Sequence, residues 1–231
     1  MPIAFLRSTR PVSVLLALGA TVYSAWVLEV VLGTGLDPLR TYVSELAAAD
    51  QPFGGLFRST DLAAGLLILA GALWAVVRFR PRGLWEVTGW AALAVFGAAT
   101  AADSRLPLSC APTVDAACVV RETAGLVPAT HLAHTWSSSL ASTAAVVGIV
   151  ALTVAARRGH HSRRRSLLAR TGPAIAAAEL VATVWTLSSI AAFEAGNGTW
   201  FLGAGQRLQV LLAAIWLGVL ALSVAREKLY E

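Results

Sequence analysis

Six stretches of this chain are apolar enough, over enough residues, to cross a bilayer, and that pattern restricts the fold more than any motif does. A membrane helix needs about 20 apolar residues for about 30 Å of hydrocarbon, and only helices and closed barrels satisfy their own backbone there. The runs are read over residues 11–32, 61–77, 86–102, 131–156, 172–193 and 206–225. The second and third are short, so flanking residues are expected to complete the crossing. Charged residues make up 13% of the chain and hydrophobic ones 57%, against about 25% charged in a soluble domain. The expected fold is one all-α domain over 1–231, a six-helix transmembrane bundle.

The surplus of positive charge, +5, is distributed as a topology signal and not as a nucleic-acid surface. Thirteen of the 18 arginines and lysines fall on the side of the two termini, among them Arg78, Arg80, Arg82 and the run from Arg157 to Arg165, and five on the other. Cytoplasmic loops retain such charge, so both termini are expected inside. Arg7 and Arg10 precede an apolar run as in a secretory signal, but the run continues to Leu32 without a small-x-small cleavage site, so it is read as an anchor. Seventeen arginines against the single Lys228 suggest a GC-rich bacterium, and the expected location is its plasma membrane.

Polar residues between and within the runs carry the functional expectations. Asp37-Pro38 reads as a helix start, with Leu39, Tyr42, Val43 and Leu46 at helical spacing, which predicts a short amphipathic helix in the first outer loop. Asp61 is expected to open the second helix. Ala94, Ala98 and Ala102 form a row of small residues suited to close packing. Cys110 and Cys118 lie outside the cytoplasm, where a disulfide is expected. His131, Thr135, Ser138 and Ser142 share a helix face, with His134 on its flank, and this stripe is expected to face inward. Pro173 is expected in the first turn of the fifth helix, with Glu179 about two turns from its cytoplasmic end as an intramembrane acid. The sixth helix is plain apart from Gln209 and Trp216.

Glu29, Ser44, Glu45, Asp61, Asp103, His131, His134 and Glu194 are expected at one membrane level, at the outer ends of the helices. Ionisable groups rimming an apolar bundle suit the headgroup of a lipid or envelope glycolipid, with Ser44, Glu45, Asp61, Asp103, His131, His134 and Ser138 around it. No cofactor is expected on that reading, and the partners are membrane lipids. The alternatives are a lipid hydrolase or transferase and an accessory subunit packed on a membrane partner or on another copy. The hydrolase would use a divalent metal held by His131, His134 and Asp103, or a serine nucleophile such as Ser44 or Ser138. Bis-histidine haem is argued against because only the fourth helix has histidine, and retinal because no lysine lies in the membrane.

Tyr42-Val43-Ser44-Glu45-Leu46, then Pro52, Phe57 and Asp61, with Asp103, Pro107, Cys110, Cys118 and the run from His131 to Ser138, resemble the bacterial six-helix family known as domain of unknown function 998. The resemblance covers nearly the whole chain. It is similar, more distantly, to the DRAM and Frag-type six-helix proteins, which implies a lipid-related role without supplying a reaction. Alkaline ceramidases and adiponectin-receptor hydrolases hold zinc with three histidines. This chain departs from them in its His-x-x-His spacing and its lack of a third membrane histidine.

Overall fold

The computed structural model describes residues 9–159 and 166–227, so Arg7, His160, His161, Arg163, Arg164, Arg165 and Lys228 lie outside the described residues. The described elements are α1 (Arg10–Tyr23), a 3₁₀ segment (Ala25–Val30), a second 3₁₀ turn (Val43–Ala47), α2 (Gly54–Phe79), α3 (Leu84–Asp103), α4 (Ala116–Thr123), α5 (Ala129–Arg158), α6 (Leu167–Glu194) and α7 (Leu202–Glu227). With the first 3₁₀ segment counted into α1, six of these are long and apolar enough to cross a membrane. The protein is a multi-pass, all-helical membrane protein.

Several boundaries differ from the sequence reading, each for a local reason. α1 stops at Tyr23, where the Ser24 hydroxyl donates back to the Ala20 carbonyl at 2.9 Å and competes with the helix. α2 begins at Gly54, so Asp61 lies about two turns inside it and does not cap it. Tertiary contact fixes that start: a Cβ on Gly54 would stand 2.2 Å from the Ala48 carbonyl oxygen, and Arg58 donates to the Ala47 carbonyl at 2.7 Å. Asp37 makes a turn, accepting from the Leu39 N–H at 2.9 Å, and the helix expected after it is only the 3₁₀ turn Val43–Ala47. α6 starts at Leu167 because Ser166 caps it, accepting from the Ala169 N–H at 3.2 Å. Pro173 therefore sits inside the helix, past the first turn, and Glu179 lies near the middle of its 28 residues.

The six long helices form a closed ring in chain order, α1 to α2, α3, α5, α6 and α7, with α7 returning to α1. Lipid offers little hydrophobic drive for this association, so close van der Waals fit must carry it. α2 and α3 cross through glycine: a Cβ on Gly97 would lie 2.5 Å from the Leu69 nitrogen, and one on Gly65 2.7 Å from the Gly97 carbonyl oxygen. The alanine row expected to favour close packing is only partly inward: Ala94 packs on the core, whereas Ala98 and Ala102 are exposed. Trp216, Phe96, Leu16, Ile68, Leu93 and Ile149 fill the interior, and toward the end where α1 begins and α7 finishes the helices close on one another. There Gly172 of α6 lies against Thr153 of α5, while Trp216 donates to the Thr153 hydroxyl at 3.3 Å. At the opposite end Cys110 and Cys118 are joined in a disulfide across the loop that carries α4.

Candidate functional site

The disulfide end is held by three polar clamps, and a cavity lies beneath them. In the first clamp, the Arg207 guanidinium at the start of α7 meets Glu29 of the 3₁₀ segment in a two-pronged ion pair, Nε to Oε1 at 2.7 Å and Nη2 to Oε2 at 2.6 Å. Its remaining nitrogen donates to the Thr41 carbonyl at 2.8 Å and to the Gly203 carbonyl at 3.2 Å. Both side chains are buried. A planar guanidinium suits this, because a carboxylate can take two parallel bonds from it.

The second clamp is Glu45, fully buried at 0% exposure. Its carboxylate accepts from the Tyr42 N–H at 3.0 Å, from the Thr113 N–H at 2.8 Å and from the Thr113 hydroxyl. The first and second loops are thereby tied together. Burial pushes the Glu45 carboxyl up from its ordinary value, with the Thr113 and Tyr42 bonds opposing the shift. Burial, with Glu45 nearby, likewise pushes the Tyr42 phenol up.

The histidines form the third clamp. His131 is fully buried at 0% exposure, and its Nδ1 accepts from the Ser109 N–H at 3.0 Å with the Ser109 hydroxyl at 2.9 Å. Its Nε2 stands 3.5 Å from a Glu122 carboxylate oxygen. Since a backbone N–H can only donate, Nδ1 is the acceptor and the ring proton sits on Nε2. His134 turns its Nδ1 to the Leu106 carbonyl and to Asp103 Oδ1, each at 3.1 Å, and the Ser137 hydroxyl also donates to Asp103. The two histidines are thus spent on different segments of the second loop. Among the described residues, the only trio of His, Cys, Asp or Glu ligand atoms within 4.8 Å of one another is Cys110, Asp115 and Cys118, whose sulfurs are already bonded together. His131, His134 and Asp103 do not converge in that way.

Beneath the clamps lies a cavity of about 120 Å³, with walls from every long helix of the ring. Of the residues expected around a headgroup, Ser44, Asp61, Asp103 and Ser138 line it, whereas Glu45, His131 and His134 do not. Glu179 lines it too, from near the middle of α6. It is 2% exposed, and its Oε2 has no hydrogen-bond partner among the described residues. Sequence reasoning missed Tyr23, Trp26, Thr100 and Gln206, which also face this space. Gln206 had a readable signal, a second polar amide three residues before Gln209 on an apolar helix. Trp26 and Tyr23 had none, because aromatic residues near a membrane surface ordinarily anchor at the interface.

The inward stripe expected on α5 is only partly inward. Thr135 is exposed, Ser138 lines the cavity half-buried, and Ser142 lines it while remaining exposed. Ser142 thus belongs both to the cavity wall and to the exposed surface of α5. α5 and α6 approach closely at Gly172 and Thr153, toward the end where the termini lie, and their contact is the sparsest of the ring.

The fold and site define a six-span membrane protein with an acidic interior cavity beneath a disulfide-braced cap. The chain matches the family described as Protein of unknown function (DUF998) over residues 15–223, and it belongs to that family. That match carries the six-helix family and not the wider likeness to DRAM and Frag-type proteins. No curated protein matches the chain, and no solved structure does.

Proposed function

We propose that this protein binds the headgroup of a lipid or envelope glycolipid in the cavity, from the outer leaflet of a bacterial plasma membrane. The observation that carries the reading is Ser142, which is at once a wall of the polar cavity and an exposed residue of a membrane-crossing helix. A headgroup can reach Ser138, Asp103 and Glu179 through that wall while its acyl chains stay among the exposed Leu132, Trp136 and Leu140 of α5. A disulfide favours an oxidising compartment for the capped end, in agreement with the side that carries fewer arginines. The test is native mass spectrometry from gentle detergent. Wild type is expected to retain a defined lipid, and Ser142→Trp, which adds bulk to that wall, to lose it at an unchanged melting temperature. Equal retention by both proteins would remove the cavity from the account.

A second reading, a serine-dependent lipid hydrolase, is supported by the alignment of Ser109, His131 and Glu122. The hydroxyl lies 2.9 Å from Nδ1 and a carboxylate oxygen 3.5 Å from Nε2, the order of groups a serine relay uses, although Nε2 makes no hydrogen bond among the described residues. The Ser109 N–H shares the same Nδ1 lone pair, which lowers its capacity as a base. Turnover of a short-chain nitrophenyl ester, abolished in Ser109→Ala, would establish hydrolysis. Absence of turnover in wild type would reduce the trio to a loop clamp.

A further inference from the structure

Resting on the headgroup reading of the cavity, we infer that the group it takes is a protonated primary amine. The charge on its walls carries the step. Asp61, Asp103 and Glu179 line the cavity, and none of its lining residues is an arginine, a lysine or a histidine. The nearest basic residue on α7, Arg207, has every nitrogen engaged by Glu29, Thr41 or Gly203. His134 approaches Asp103 from outside the wall, where its single Nδ1 proton lies between the Leu106 carbonyl and Asp103 Oδ1, each at 3.1 Å. Buried carboxylates without a counter-charge are costly, because desolvation disfavours the ionised form. A cation entering the cavity supplies what the protein leaves out.

Unpartnered atoms mark where it goes. Glu179 Oε2 and the Trp26 indole Nε1 are buried without a hydrogen-bond partner among the described residues, and both residues line the cavity. The carboxylate can accept one N–H of an ammonium, which carries three donors and no acceptor. The indole can donate to an oxygen two or three atoms away on the same headgroup, such as a hydroxyl or an ester. Tyr23 and Trp26 also line the cavity, and aromatic rings attract positive charge.

A compact metal ion fits less well. Ions bound directly at about 2.0 to 2.6 Å draw their ligand oxygens together, and Asp61, Asp103 and Glu179 do not form a trio within 4.8 Å. Acids spread around about 120 Å³ suit an organic cation, which bonds one or two carboxylates directly and reaches the remainder through water. The volume is on the order of ten water-sized positions, enough for an amine, the short chain that bears it and its hydration. A quaternary ammonium has the charge but no N–H for Glu179.

The experiment uses the full chain in lipid nanodiscs, with phosphatidylethanolamine, phosphatidylcholine and phosphatidylglycerol in competition and retained lipid read by native mass spectrometry. Phosphatidylethanolamine is expected to be retained about tenfold over the other two, a difference of about 1.4 kcal/mol. Asp61→Asn combined with Glu179→Gln, which keeps side-chain shape, should erase that preference. Glu179→Gln alone should lower it, should the pair of changes prevent folding. Free ethanolamine is titrated in parallel. Displacement of the lipid by ethanolamine assigns the site to the amine itself, and displacement only by the intact lipid assigns it to the headgroup in the membrane; both support the ammonium. Retention of phosphatidylglycerol or phosphatidylcholine as strong as that of phosphatidylethanolamine would overturn the amine while leaving headgroup binding intact. Retention of no lipid and no ethanolamine would overturn both.

Discussion

Arg207 and Glu29 lie 178 positions apart and form one buried unit at the capped end. The sequence reading has Arg207 only as a positive charge at the start of the sixth helix, since nothing local shows that a distant carboxylate will enclose it. Their coupling is testable. Removing one member of a buried pair leaves a stranded charge and costs about 3 to 5 kcal/mol, whereas removing both together costs less. Arg207→Met is therefore expected to lower unfolding stability in detergent by that amount, and Glu29→Gln with Arg207→Met to recover part of it. Additive losses in the double variant would show that the two groups act independently. Glu45 makes a pH prediction. Its folded value is raised above 4.5 by burial, so the folded state holds the proton more tightly than the unfolded state. The resulting stabilisation is full below about 4.5 and is lost as pH rises through the folded value. Stability measured against pH is expected to fall across that window in wild type and to fall less in Glu45→Gln. Identical slopes would mean that Glu45 titrates normally.

At the scale of elements, the membrane crossings were legible because composition alone demands them, and the disulfide because spacing and compartment agree. Helix starts set by contacts were not legible. Gly54 begins α2 against the Ala48 carbonyl, a fact of three dimensions that moved Asp61 from a cap to the cavity wall. The same holds for His131 and His134. Their spacing announced a shared face, but Ser109 and Leu106, on a loop 22 and 28 residues away, took the ring nitrogens. A helix face states which side chains are neighbours and leaves open which partner reaches them first. The cap that results depends on the Cys110–Cys118 bridge, which encloses only eight intervals of chain. Closing so short a loop contributes about 2 to 3 kcal/mol. Reduction, or Cys110→Ser with Cys118→Ser, is expected to cost that amount in thermal unfolding. It should also raise amide exchange at Ser109 and Thr113, the residues that hold His131 and Glu45. Unchanged exchange there would show that the clamps stand without the bridge.

For the whole molecule, the two ends of the bundle differ in kind. The end with the termini is closed by large apolar side chains and by Gly172 against Thr153, and the disulfide end is closed by polar clamps over an acidic cavity. The acidic cavity lies toward the capped end, so the proposed function depends on which leaflet that end occupies. Among the described residues eight arginines lie toward the end opposite the cap and five on the cap side, where Arg207 is already buried in its ion pair, so the charge rule favours an outward cap. A cysteine at exposed Asp50, on the capped side, is expected to react in intact cells with a maleimide that cannot cross the membrane. One at exposed Arg82, in the turn between α2 and α3, should react only after permeabilisation. The native cysteines do not interfere, because both are bonded. The opposite labelling pattern would turn the acidic cavity to the cytoplasmic leaflet. The amine-bearing lipid would then be drawn from the inner face, and the bridge would have to persist against cytosolic reductants, a condition that few cytosolic disulfides meet.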